Sequence, residues 1–167
     1  MTFVAKKSLG QNFLNDNKVI KIIADLGKID RDDFILEVGA GTGNLTEIIL
    51  EQSPKKLFVI EKDQRLASYL NEKFGDKINI FNEDMMKFEY ERYYKDRLII
   101  FGNLPYNIST QILAKWIRVK NLDSFCKKFI LMFQKEVADR IIAETNTKNY
   151  GRLSILSNWK MKINKII

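Results

Sequence analysis

The chain has 167 residues, 46% hydrophobic and 29% charged, with a net charge of +7. This is enough apolar material for one domain with its own core, and it excludes a disordered polyelectrolyte. There is no histidine and a single cysteine, so an internal disulfide is excluded, and imidazole catalysis and structural zinc lack their usual ligands. No apolar stretch reaches the roughly 20 residues of a membrane span. Met1–Lys7 lacks the apolar core of a secretory signal. With the lone thiol Cys126 read as a small buried side chain, these features point to the cytoplasm. The basic balance favours a polyanionic partner. A Lys-, Ile- and Asn-rich composition that coats any surface with lysine explains it equally well.

In chain order, Asn17–Leu26 opens behind Asn15-Asp16, carries Val19, Ile20, Ile22, Ile23 and Leu26 on one broad face, and ends at Gly27. This is a capped amphipathic helix. Phe34–Val38 reads as a strand, Asn44–Glu51 as a helix, Leu57–Ile60 as a strand, and Asp63–Phe74 as a helix capped by Asp63. Ile78–Phe81 and Leu98–Phe101 are further strands. Ser109–Arg118, with Ser109 as its cap, Phe129–Phe133 and Lys135–Glu144 complete a helix, a strand and a helix. The strands are short apolar runs rather than alternating ones, as expected when both faces are covered. Alternation of strands and helices predicts an α/β fold: a mostly parallel sheet with helices on both faces. Ligands then bind beyond the carboxyl ends of the strands.

The strand ends carry the chemistry. After the first comes Glu37-Val-Gly39-Ala-Gly41-Thr-Gly43. Gly39 and Gly41 permit positive φ and the close approach of a small molecule, and Gly43 lets the next helix start tightly. The spacing is G-x-G-x-G, not the G-x-G-x-x-G of nicotinamide oxidoreductases. The second strand ends at Glu61, 22 residues beyond Gly39, which suits a carboxylate accepting both hydroxyls of a ribose; a solvated carboxylate in a charged turn with Lys62 and Asp63 is the other reading, and the glycines favour the first. The third is followed by Asp84 and Met85, an acceptor and a packing surface for an adenine; a loop or cap carboxylate is an equal reading of Asp84. The fourth ends in Asn103-Leu104-Pro105-Tyr106. Pro105 biases Leu104 to an extended backbone, leaving its carbonyl beside the Asn103 amide, and Tyr106 offers a stacking face. Two acceptors and a ring suit a planar aromatic amine.

Assembled, these residues resemble the S-adenosylmethionine-dependent ribosomal RNA adenine dimethyltransferase family. Gln11-Asn12-Phe13-Leu14, the glycine loop, Glu61, Asp84 and Asn103-Leu-Pro-Tyr-Asn-Ile-Ser109 match in order and spacing. Phe133-Gln-Lys-Glu-Val137 and Tyr150-Gly-Arg-Leu-Ser154 resemble the housekeeping branch, which acts on small-subunit RNA, more than the antibiotic-resistance branch acting on large-subunit RNA. The resemblance implies a Rossmann-like methyltransferase fold with S-adenosyl-L-methionine as cofactor and no metal. Asn12, Leu14, Gly39 and Gly41 would line the methionine end, Glu61 the ribose, Asp84 the adenine and Asn103 the junction with the target base. Leu104, Pro105 and Tyr106 would complete the catalytic turn.

The implied reaction places two methyl groups on N6 of each of two adjacent adenines in a terminal hairpin. The partner is ribosomal RNA in a small-subunit precursor, and the expected state is a monomer. The match covers residues 1–167 as a catalytic domain; the family's last strands, Pro-rich loop and small helical domain lie outside it. Lys6, Lys7, Lys18, Lys21, Lys127, Lys128, Lys148 and Arg152 are candidate phosphate contacts. A DNA adenine methyltransferase, a large-subunit RNA methyltransferase and a non-catalytic RNA-binding assembly factor are the alternatives.

Overall fold

The structure is a computed structural model that describes residues 3–89 and 97–166. Five strands, β1 (Phe34–Val38), β2 (Lys56–Ile60), β3 (Asn79–Phe81), β4 (Leu98–Asn103) and β5 (Cys126–Met132), form one parallel sheet in the order β3-β2-β1-β4-β5. The helices are α1 (Asn17–Gly27), α2 (Asn44–Glu51), α3 (Gln64–Phe74), α4 (Ser109–Ile117), α5 (Leu122–Phe125), α6 (Lys135–Ile141) and α7 (Arg152–Lys160). The order reverses between β1 and β4, which makes that pair the topological switch point.

Side chains alternate across the pleat, and each inner strand therefore feeds two cores. Leu36, Val38, Phe58, Ile60, Leu98 and Ile100 pack with Ile112, Trp116 and Phe125 of α4 and α5. Ile35, Leu57, Val59, Ile99 and Phe101 pack with Ile20 and Ile23 of α1, Ile49 of α2 and Leu70 of α3. A smaller cluster joins Leu113 and Ile117 of α4 to Ile141, Leu153 and Leu156 of α6 and α7. Cys126 is buried, and desolvation pushes its thiol up to about 12. A maleimide is therefore expected to label it only after unfolding, which mass spectrometry reads directly.

Several sequence expectations shift. The outer strands β3 and β5 are not covered on both faces: Asn79 and Lys127 are exposed. The fourth strand runs on to Asn103, two residues beyond its apolar core, because Gly102 and Asn103 still pair with Leu131 and Met132. The fifth begins at Cys126 rather than Phe129. Helices α5 and α7 were not expected. Asp16 and Asp63 cap α1 and α3 as predicted, accepting from the Lys18 and Val19 amides and from the Arg65 amide. Ser109 is not a cap: Ile108 holds that place, and the buried Ser109 hydroxyl turns back toward the Tyr106 carbonyl at 3.5 Å. At the end of α1, Lys28 takes the left-handed cap (φ 49). Gly27 serves instead to admit Phe101, whose ring would lie 2.8 Å from an added Cβ.

Candidate active site

The register aligns the strand ends. Val38 pairs with both Ile60 and Gly102, and Ile60 with Phe81. Gly39, Glu61, Asn82 and Asn103 therefore stand at one level, just past or at the carboxyl edge of the sheet. One cleft at this edge is lined by Asn12, Leu14, Gly39, Gly41, Glu61, Asp84, Asn103 and Pro105, together with Glu37. Eight residues expected at the site from separate parts of the sequence thus share one cavity. Leu104 lines none of it: its side chain is buried in the core, so it offers the site only backbone. Tyr106 stands outside the cleft, in a second cavity that also includes Asn12 and Asn103.

The glycine loop is built as its composition requires, for partly different reasons. Gly39, Gly41 and Gly43 have φ of 75°, 59° and 80°, values L side chains rarely adopt. A Cβ on Gly39 would lie 3.0 Å from the Asn103 carbonyl oxygen, so this glycine lets the loops after β1 and β4 close on each other. A Cβ on Gly43 would lie 2.7 Å from both Leu70 and Phe74; it makes room for α3 rather than for a strand. Gly43→Ala is expected to lower unfolding free energy by about 2 kcal/mol, from left-handed strain and overpacking, measured by urea titration.

The floor is acidic. Glu61 accepts from the Gly41 amide at 3.0 Å and the Asp63 amide at 2.9 Å, one bond to each oxygen. The Lys62 amide adds a further bond to the same carboxylate. Burial raises its pKa against those bonds. Glu37 is 2% exposed and accepts the Thr46 hydroxyl at 2.7 Å. Desolvation pushes it to about 7, with the Glu61 charge adding to the rise. Sequence reasoning had Glu37 only as the start of the loop; its signal was a carboxylate inside a buried strand, one residue before its end. Asp84 is held low by the Lys62 ammonium at 2.8 Å, and its other oxygen accepts the Met86 amide at 2.9 Å. It thus caps the turn after β3 while facing the cleft.

Asn103 is oriented by a distant partner. Its Nδ2 donates to the Asn12 carbonyl at 2.8 Å, and Asn12 Nδ2 donates to the Tyr106 hydroxyl at 2.5 Å. With its nitrogen committed, the Asn103 amide presents its oxygen as an acceptor. Of the basic residues expected to meet phosphate, Lys6 bonds Asp63, Lys127 pairs with Asp33 at 2.8 Å, and Lys128 donates to the Leu26 and Gly27 carbonyls that end α1. Lys7, Lys18, Lys21, Lys148 and Arg152 are exposed.

A sheet that reverses between β1 and β4 and gathers acceptors and glycines there is a nucleotide-type cofactor domain of the doubly wound α/β class. The chain belongs to the ribosomal RNA adenine dimethylase family, whose model matches residues 2–167. It is 53% identical over 163 residues to the ribosomal RNA small subunit methyltransferase A of Pelagibacter ubique, covering 98% of this chain and 62% of that protein. It is 39% identical to the same-named protein of Malacoplasma penetrans, covering 98% and 58%. Among solved structures it is similar to a dimethyladenosine transferase from Plasmodium falciparum, with a TM-score of 0.76, 32% identity and coverage of 87% and 51%. It is also similar to the 23S rRNA methyltransferase ErmE, with 0.69, 28%, 87% and 55%. The chain spans about three-fifths of the length of the curated relatives it matches.

Proposed function

We propose that this chain is the catalytic domain of a methyltransferase that modifies N6 of adenine in small-subunit ribosomal RNA, with S-adenosyl-L-methionine as methyl donor. The observation that carries the reading is Asn103: at the switch point its Nδ2 is held by the Asn12 carbonyl, which leaves Oδ1 as its acceptor, and the residue lines the acidic cleft next to Leu104. The donor set fits the cofactor. Glu37 and Glu61 suit a cation, and the Glu61 carboxylate, which lines the cleft, suits ribose hydroxyls. Asp84 would meet the adenine amino group, and Asn12, Leu14, Gly39 and Gly41 would line the methionine end.

When bound, S-adenosylmethionine supplies a methyl group already activated on a sulfonium. The residues do the rest by position. Asn103 Oδ1 and the Leu104 carbonyl accept the two N6 hydrogens of a target adenine. That draws the nitrogen lone pair out of the ring and aims it. Tyr106, 39% exposed, offers its ring face to the base. In-line alignment of this kind accounts for much of such a rate enhancement. The nitrogen becomes acidic once methylated, so water takes the proton and no histidine is needed. Two adjacent adenines in a terminal hairpin, a small-subunit precursor as partner, a monomer and a cytoplasmic setting complete the reading.

Mass spectrometry of ribosomal RNA from unmethylated small subunits, incubated with protein and cofactor, tests it. The expected product is dimethyladenosine confined to small-subunit RNA; methylation of large-subunit RNA alone, or none, overturns it. Glu61→Ala is expected to weaken cofactor binding by about 1–3 kcal/mol in calorimetry. RNA affinity is expected to fall steeply with added salt, because phosphate contacts release counterions; a filter-binding series from low to high salt reads the slope.

A further inference from the structure

The segment from Lys6 to Asn15 crosses the mouth of the cleft and is fastened on both sides. On the β2 side, Gln11 Nε2 donates to Asp63 at 3.1 Å and Lys6 Nζ pairs with it at 3.3 Å. The Gln11 side-chain oxygen accepts the Lys6 amide at 2.8 Å, so one side chain closes the turn and anchors it. Over the glycine loop, Phe13 lies 3.2 Å from where a Gly41 Cβ would stand. On the β4 side, Asn12 joins Asn103 and Tyr106, and Gly10, at φ 63°, is tucked against Asn107. Asn44 Nδ2 holds the far end by the Leu14 carbonyl at 2.9 Å.

Asp63 is built for more than its helix cap. A cap needs one acceptor, which the Arg65 amide uses. Yet Asp63 is 3% exposed and also binds the Arg65 guanidinium at 2.7 Å, Gln11 and Lys6. Its own amide donates to Glu61. A single residue thus touches the ribose carboxylate, the α3 terminus and the strap.

We propose that Asp63 is a positioning residue that fastens the amino-terminal strap across the cofactor cleft and thereby holds Asn12 against Asn103 and Tyr106. This rests on the methyltransferase reading for its consequence, but not for its structural part. Opening the strap removes the outer wall of the cleft and frees the Asn103 amide to rotate.

Hydrogen exchange of residues 6–14 in Asp63→Asn and Gln11→Ala tests it. Asp63→Asn keeps an oxygen for the α3 cap, and Gln11→Ala leaves that cap untouched. Both variants are expected to speed exchange in the strap by about tenfold or more, the loss of one charge-assisted bond. Trypsin cleavage after Lys7 should rise in both, with the thermal midpoint of Gln11→Ala held close to that of the unchanged chain. Both should bind S-adenosylmethionine about tenfold more weakly, with a larger rise in KM for the cofactor than fall in kcat. The double variant should add little to either alone. Strap exchange unchanged in both variants overturns the proposal. So does a faster strap with unaltered cofactor affinity, or an Asp63→Asn effect confined to α3 and the thermal midpoint. If the unchanged chain binds no S-adenosylmethionine, the functional reading fails, and the exchange data still decide whether Asp63 is the latch.

Discussion

Asn103→Ala is expected to reduce methyl transfer by about 10²–10³-fold, the usual effect of removing one preorganised polar group at a reacting centre, while cofactor affinity changes by only a few-fold. The reason lies in how the two ends of the amide are used. Nδ2 ties the site to Asn12, and in the proposed reaction Oδ1 meets the substrate. Alanine removes both functions, and the second belongs to the transfer step. Asn103→Asp separates them. It keeps an acceptor at the same place, loses the donor to Asn12, and puts a charge opposite the Asn12 carbonyl. Intermediate transfer by the aspartate and near-zero transfer by the alanine is the expected order. Radiolabelled methyl incorporation at saturating cofactor measures it, with calorimetry on the same samples for binding. Turnover by Asn103→Ala at the level of the unchanged chain would remove Asn103 from the reaction.

Much of this was legible because the local rules agree. β1 and α2 end where expected, since an apolar run, a glycine loop and a helical stripe each point to the same boundary. The elements that escaped notice break such patterns for physical reasons. Helix α7 turns Leu153 and Leu156 inward but Ile155 and Trp159 outward, the last 67% exposed, so no single apolar stripe marks it. The start of β5 is hidden by Lys127 and Lys128, whose ammonium groups reach Asp33 and the end of α1 while their stems follow the strand. This is ordinary behaviour for a long amphipathic side chain. At the site, the residue types were readable strand by strand. Their partners were not: Asn12 and Asn103 lie 91 residues apart, and Gln11 and Asp63 lie 52 apart. Spacing within one element says nothing about a strap that closes over the sheet edge.

Glu37 supplies the other large effect, in stability rather than rate. Its carboxyl is buried and titrates near 7 instead of 4.5. The folded chain therefore holds this proton more tightly than the unfolded chain does. For an acid raised in this direction, stability is greatest below the unfolded value. It is lost as pH rises from about 4.5 through 7, and the loss is complete above that. The difference amounts to about 3 kcal/mol. Glu37→Gln removes the titration while keeping an oxygen for the Thr46 hydroxyl. The variant is expected to gain about that much relative to the unchanged chain between pH 5 and pH 8, read from urea unfolding at each pH. A parallel pH dependence for both proteins would show that Glu37 is not the group concerned. The same burial makes Glu37 a sensor of charge in the cleft. A cationic ligand beside Glu37 and Glu61 favours the ionised carboxyl and pulls its pKa back down. Binding S-adenosylmethionine near pH 6.5 should then release a fraction of a proton, seen as a dependence of the calorimetric enthalpy on buffer ionisation. Glu37→Gln should diminish that dependence, leaving only what the raised Glu61 contributes. On the proposed reading, a floor of buried carboxylates that is unfavourable in the free protein would become favourable beside a sulfonium, so that an acidic cleft in a chain of net charge +7 would favour a cationic cofactor.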